Sequence, residues 1–324
     1  MARTRYASDP GLIARMGATM FLLGLVFAGF ATGLVYLIAY YGAHRHGGSG
    51  GTGSTGVLIF FAAVIGVGSA IGSYYWSDKI AIRTSGARLV GPNDSPDAAR
   101  LHGIVDRLCA LADMPKPRIA IAPTNMPNAF ATGRNSKTAV LCATKGILDQ
   151  RILTDEELEG VLAHEMSHVA HKDVAVMTIA SFLGIIAALM VRFAFYSELF
   201  GGGRRDSNNQ SALLVIPIML LSIVVYAVSF LLIRLLSRYR ELSADRSGAL
   251  LTGRPAALAS ALVKVTGDMG RIPVKDLREA EPLNAFYFAP ALQPGQNLAT
   301  IFSTHPSLKR RLAELDKISK QLGQ

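Results

Sequence analysis

The stretch His164-Glu165-Met166-Ser167-His168 has residue types and spacing suited to chemistry. On a helix, side chains at i and i+4 leave one face about a turn apart, so both imidazoles can reach a single metal ion. Glu165 lies about 100° round the axis from His164, close enough to act on water at that ion without being a ligand. Zinc held in this way lowers the pKa of a coordinated water to about 7, and the carboxylate is placed to take the proton during attack on a peptide carbonyl. The competing reading is a chance pentapeptide. A helix start just upstream argues against it: Thr154-Asp155-Glu156-Glu157 matches a capping box.

A catalytic zinc needs a third protein ligand and one open position. Completion within the same helix would require Gly at 171 and His at 174, and this chain has His171 and Val174. His171 would stand about 7 Å along the axis from the midpoint of the histidine pair. That position suits a supporting or surface role better than a ligand. A third donor from another element is the better candidate.

Four apolar blocks set where such an element can be. Met16–Tyr41 and Val57–Trp76 carry no charge, Val174–Phe195 contains only Arg192, and Ala212–Ile233 is uncharged with one proline, Pro217. Each is long enough to cross a hydrocarbon core of about 30 Å, so the chain is expected to be a polytopic membrane protein. Residues 1–76 form an N-terminal hairpin with spans at about 16–41 and 57–76, joined by a Gly/Ser-rich loop at 44–56. Residues 174–236 form a second hairpin with spans at about 174–195 and 212–233, closed by a polar loop at 201–210. Residues 77–173 and 237–324 are the two halves of one domain outside the membrane. Basic residues crowd the span ends on one side (Arg3, Arg5, Arg15, Arg83, Arg234 and Arg238 among them) and are fewer on the other (Arg45, Arg192, Arg204, Arg205). The positive-inside rule then puts both termini and the domain in the cytoplasm. Two cysteines, Cys109 and Cys142, are expected there as reduced thiols. The net charge of +10 has no nucleic-acid motif beside it and flanks the apolar blocks, so lipid headgroups are its expected partner.

Within the domain, helical spacing covers Pro96–Asp113. Arg118–Ala122, Ala129–Thr132 and Thr138–Ala143 read as strands of a small antiparallel sheet in an otherwise mainly α fold. The helix opened at Thr154 continues without a breaker into the third apolar block. His168 comes shortly before that block and Glu241 shortly after the fourth, roughly 9 and 12 Å from the block ends at about 1.5 Å per residue. In an antiparallel pair of helices Glu241 faces the histidines at matching height and is favoured as the third ligand over an ordinary charged helix surface. Asp245 shares its face and can accept the second ring N–H of a ligand histidine.

HEMSH followed, after a membrane hairpin, by Arg238–Asp245 (RYRELSAD) resembles the M48 family of gluzincin peptidases, most closely its bacterial heat-shock protease (HtpX) group. Asn128–Gly133 (NAFATG) is similar to that group's substrate-binding edge strand, and Ser303-Thr304-His305-Pro306 with Arg311 to a further segment of it. The resemblance spans essentially the whole chain; Ser307 departs where relatives often carry a second proline, and His171 is an extra histidine. It implies one zinc ion on His164, His168 and Glu241, with Glu165 as base. It also implies that Asn128, His305 and Arg311 help hold the peptide or the tetrahedral oxyanion. The implied activity is zinc-dependent endoproteolysis of membrane or misfolded proteins at the cytoplasmic face of the bacterial inner membrane, in quality control and stress response. Processing of prenylated peptides, as in the eukaryotic branch, is the alternative, although four blocks are few for that branch's chamber. A catalytically silent scaffold would have lost a ligand or the base, and none is missing.

Overall fold

The computed structural model describes residues 10–43, 68, 71–72, 75–76, 78–133, 135–201, 210–269 and 305–324. The expected loop at 44–56, most of the second apolar block, residues 202–209 of the second loop, and Ser303 and Thr304 lie outside the described residues. The chain is mainly helical. Its elements are α1 (Pro10–Ala43), β1 (Arg88–Leu89), α2 (Pro96–Ala112), β2 (Arg118–Ala122), β3 (Ala129–Thr132), β4 (Val140–Thr144), α3 (Lys145–Leu148), α4 (Asp155–Ala170), α5 (Asp173–Gly201), α6 (Gln210–Thr252), α7 (Pro255–Met269) and α8 (Leu308–Gln321). They fall into two compact units. One comprises residues 1–16, 74–176 and 237–324, and the other 17–73 and 177–236.

In the first unit, α2 starts where the Ser95 hydroxyl accepts from the Ala98 N–H, with Pro96 at the first turn. It stops at Asp113, whose N–H donates to the Cys109 carbonyl and whose left-handed φ of 54° lets the Met114 N–H donate to the same carbonyl at 3.1 Å. Its buried face (Leu101, Ile104, Val105, Leu108) joins Leu141, Leu158, Leu162 and Leu258 in the main core.

The sheet order is β1-β2-β4-β3. β2 and β4 run parallel, while β1–β2 and β3–β4 are antiparallel, so the sheet is mixed rather than wholly antiparallel as expected. The burial pattern accounts for this. All of Val140–Thr144 is buried, and a strand buried along its whole length belongs in the middle of a sheet. β3 is thereby left at the edge beside α4.

The helix carrying the histidines does not run unbroken into the third apolar block. α4 ends at Ala170, and Lys172 takes a left-handed φ of 56° before α5 begins at Asp173. The physical cause lies in Asp173, whose carboxylate is held by His168 and Arg240.

In the second unit, Phe30 and Val225 are buried together, with Val26, Ile186 and Leu221 packed against them. Among the described residues, Pro10–Phe30 and Ile216–Thr252 are long and apolar enough to cross a membrane. The pair α4 and Asp173–Ile186 passes the same test only when taken together as one broken span.

Candidate metal centre

α4 is set by its first turn. The Thr154 hydroxyl accepts from the Glu157 N–H, while the Glu157 carboxylate accepts from the Thr154 N–H at 2.8 Å. Ser260 and Lys264 of α7 also donate to that carboxylate, at 2.6 and 2.8 Å, so the cap ties α4 to the helix packed beside it. Farther along, α6 crosses α4 at Gly248. A Cβ there would come within 2.9 Å of the His164 backbone nitrogen. Glycine thus permits the close approach that brings Glu241 and Asp245 to the histidines.

At the crossing, the Nε2 atoms of His164 and His168 are 3.3 Å apart. The Glu241 Oε2 is 3.6 Å from the first and its Oε1 is 3.6 Å from the second. A tetrahedral ion with bonds of about 2.0–2.1 Å holds its donors about 3.3–3.4 Å apart. Two neutral-capable imidazoles and a carboxylate at these separations fit zinc in both donor type and spacing. Glu165 joins the same cluster, its carboxylate oxygen and the two histidine nitrogens all lying within 4.8 Å of one another. One of its oxygens accepts from the backbone N–H of Ala131 on β3 at 3.1 Å.

Behind the centre, each imidazole meets a carboxylate that in turn meets an arginine. The His164 Nδ1 is 2.9 Å from Asp245, which receives two bonds from Arg311 at 2.7 and 2.6 Å. The His168 Nδ1 is 2.5 Å from Asp173, which Arg240 contacts at 2.9 Å. On the remaining side the His305 Nδ1 lies 3.1 Å from Glu241.

The electrostatics favour positive charge at this spot. Burial works against an imidazolium at His164, but the Asp245 and Glu241 carboxylates outweigh it and push its pKa up to about 9. Burial would raise Asp245, and Arg311 overcomes it, holding the carboxyl at about 2. Asp173 is likewise lowered to about 2 against burial, chiefly by Arg240. Glu241 is held well below the ordinary range by His305 and His164 despite its burial. Glu165 goes the other way: burial lifts it more than the two histidines lower it.

The structure thus brings together His164, Glu165, His168, Glu241, Asp245, His305 and Arg311. Arg311 is 2% exposed and donates to Asp245 behind the histidines. Asn128 stands at the start of the edge strand, its backbone held by Thr144: the Asn128 N–H donates to the Thr144 hydroxyl at 2.9 Å, and that hydroxyl donates to the Asn128 carbonyl at 3.0 Å. His171 caps the C-terminal end of α4 and has no place among the donors. Sequence reasoning missed Asp173, Arg240 and the Ala131 N–H. An acid placed just after the histidine pair, at the first position of the next helix, was the available signal for Asp173.

The sequence profile of peptidase family M48 matches residues 95–319, a stretch that contains every residue of the centre. The chain is 54% identical to "Protease HtpX homolog 1" of Streptomyces coelicolor, over 99% of this chain and 97% of that protein. It is 47% identical to "Protease HtpX homolog" of Moorella thermoacetica, over 99% and 98%. Among solved structures it is similar to S. mikatae Ste24p, with a TM-score of 0.49 and 17% identity over 93% of this chain and 66% of that one. By the match of its profile and by its near full-length identity to the two HtpX homologues, the chain belongs to peptidase family M48.

Proposed function

We propose that this membrane peptidase is a zinc-dependent endopeptidase, with one zinc ion held by His164, His168 and Glu241. The observation that carries the reading is the set of donor separations, 3.3 Å between the imidazole nitrogens and 3.6 Å from each to a Glu241 oxygen. When bound, the ion supplies Lewis acidity, which polarises a carbonyl and makes water acidic near neutral pH. Glu165 takes the proton of the attacking water onto its carboxylate and delivers it to the amine as the C–N bond breaks. Its raised pKa suits both transfers. Asp245 and Asp173 fix the tautomer and tilt of the two imidazoles, and His305 orients Glu241.

β3 gives the substrate its track. Asn128 and Thr144 pair across β3 and β4, which turns the backbone groups of Ala129 and Ala131 towards the open edge. An extended peptide adds to such an edge through main-chain bonds, with little demand on its sequence. That favours unfolded or misfolded polypeptides, membrane proteins among them. The basic bias at the span ends supports a cytoplasmic site on the bacterial inner membrane, and the resemblance to the heat-shock group supports a role in quality control under stress.

The test is cleavage of an unfolded model protein such as casein by the full-length chain in detergent with zinc. Glu165→Gln should retain zinc and lose at least 10²-fold to 10⁴-fold in rate. Equal cleavage by both, or none by a zinc-loaded parent, overturns the assignment.

A further inference from the structure

Away from the metal centre, the first turns of α1, the cytoplasmic-side end of α6 and α8 enclose a small cleft. Its volume is about 120 Å³, and its lining includes Gly11, Arg15, Leu242, Arg246, Arg310 and Glu314. That is several times the roughly 30 Å³ share of a water molecule. Three arginines and one carboxylate line it; Glu314 also pairs with Lys317 at 2.9 Å, and Arg246 reaches Gln321 at 3.4 Å. Arginine's planar fork of donors matches phosphate oxygens, and several arginines round one cleft recognise a phosphate better than they tolerate one another.

The surroundings favour a phosphate presented by a lipid. Arg15 lies near the start of Pro10–Phe30, a helix long and apolar enough to cross a membrane. Beyond it, Phe21, Leu22 and Leu25 are 66%, 48% and 52% exposed. A basic cleft at the head of such a helix is at the depth where headgroups reside. Arg310 is exposed and, among the described residues, forms no ion pair.

The cleft also adjoins the centre through the chain itself. Leu242 and Arg246 line it, each one residue after Glu241 and Asp245, so they lie about 100° round α6 from the face that carries those acids. On α8, Arg310 lines it and the next residue, Arg311, holds Asp245. A ligand bridging Arg246 and Arg310 would grip the outer side of the two helices whose inner side is joined by the Asp245–Arg311 pair.

We propose that this cleft binds the phosphate of an anionic phospholipid headgroup and so braces α6 against α8 from the membrane side. The test measures the thermal unfolding midpoint of the full-length chain in zwitterionic detergent by circular dichroism, at constant ionic strength. The midpoint is read against added phosphatidylglycerol, phosphatidylcholine or inorganic phosphate. Phosphatidylglycerol should raise it by several degrees and phosphatidylcholine should not. Arg15→Gln with Arg310→Gln should raise the half-maximal lipid concentration at least tenfold. Lys137→Gln with Lys145→Gln removes the same charge from exposed sites outside the cleft and should leave the response intact. Arg310→Gln alone, at an exposed position, should weaken it several-fold even if the double variant fails to fold. A rise with inorganic phosphate alone that the arginine variants lose supports the phosphate site and assigns it to a soluble ligand. No rise with either phosphate source, or equal responses in parent and arginine variants, overturns the proposal.

Discussion

His164 and His168 are supported by the same device built twice: imidazole, aspartate, arginine. The chain His164–Asp245–Arg311 comes from three helices, and His168–Asp173–Arg240 from the last turn of one helix and the starts or middles of two others. Each leaves Nε2 turned to the shared centre and fixes the ring through Nδ1. Buried ion pairs are a poor source of net stability, because desolvation cancels much of the attraction. Orientation explains their presence better. Asp173→Asn should weaken zinc binding by about 10-fold to 100-fold while the variant still folds, as read by competition with a metal-sensitive dye. Unchanged affinity would relegate Asp173 to helix capping.

At the scale of the element, the zinc-motif helix is anchored at both ends by acids that do more than cap. Glu157 closes the first turn and also receives Ser260 and Lys264 from α7. Although burial would raise it, the bonds from Lys264, Ser260 and the Thr154 backbone lower its pKa in the folded chain. A folded value below the ordinary 4.3 or so means the stabilisation is present above that pH and is lost as pH falls through the depressed value. Glu157→Gln should therefore cost about 1–2 kcal/mol at neutral pH. The gap in unfolding midpoint between parent and variant should close as pH drops below about 4. A gap that stays constant with pH would show that the charge is not what holds the cap.

At the scale of the whole molecule, the proposed ligands come from α4 and α6, segments separated in sequence by the second apolar hairpin. A metal that binds only when these segments meet stabilises the folded state by mass action, about 4 kcal/mol when its free concentration is 1,000 times the dissociation constant. Chelation should lower the unfolding midpoint of the detergent-solubilised parent, and zinc should restore it. Glu241→Ala should show neither change. A parent indifferent to chelator would mean that the centre stays assembled without its ion.

Local physics is why so much of this protein is legible in its residues. The i, i+4 spacing puts two imidazoles on one face whatever surrounds the helix. Thr154 and Glu157 complete a box within one turn, and uncharged stretches long enough to span a bilayer reveal themselves by length. β2 and β3 were readable from their turns and β-prone residues. Sequence could even place Glu241 opposite the histidines, because two antiparallel helices limit which residues share a height. Tertiary structure decided the rest. Strand order depended on which strand was buried along its whole length, and that put β4 in the middle and made the sheet mixed. The helix break at Lys172 depended on Asp173 finding Arg240, a residue on another helix. Arg311 and Asp245 are 66 residues apart, and only a folded core that excludes water makes an aspartate the best partner for that guanidinium. The sequence by itself determined which residues could do the chemistry; packing decided which of them touch the metal centre and which hold it from behind.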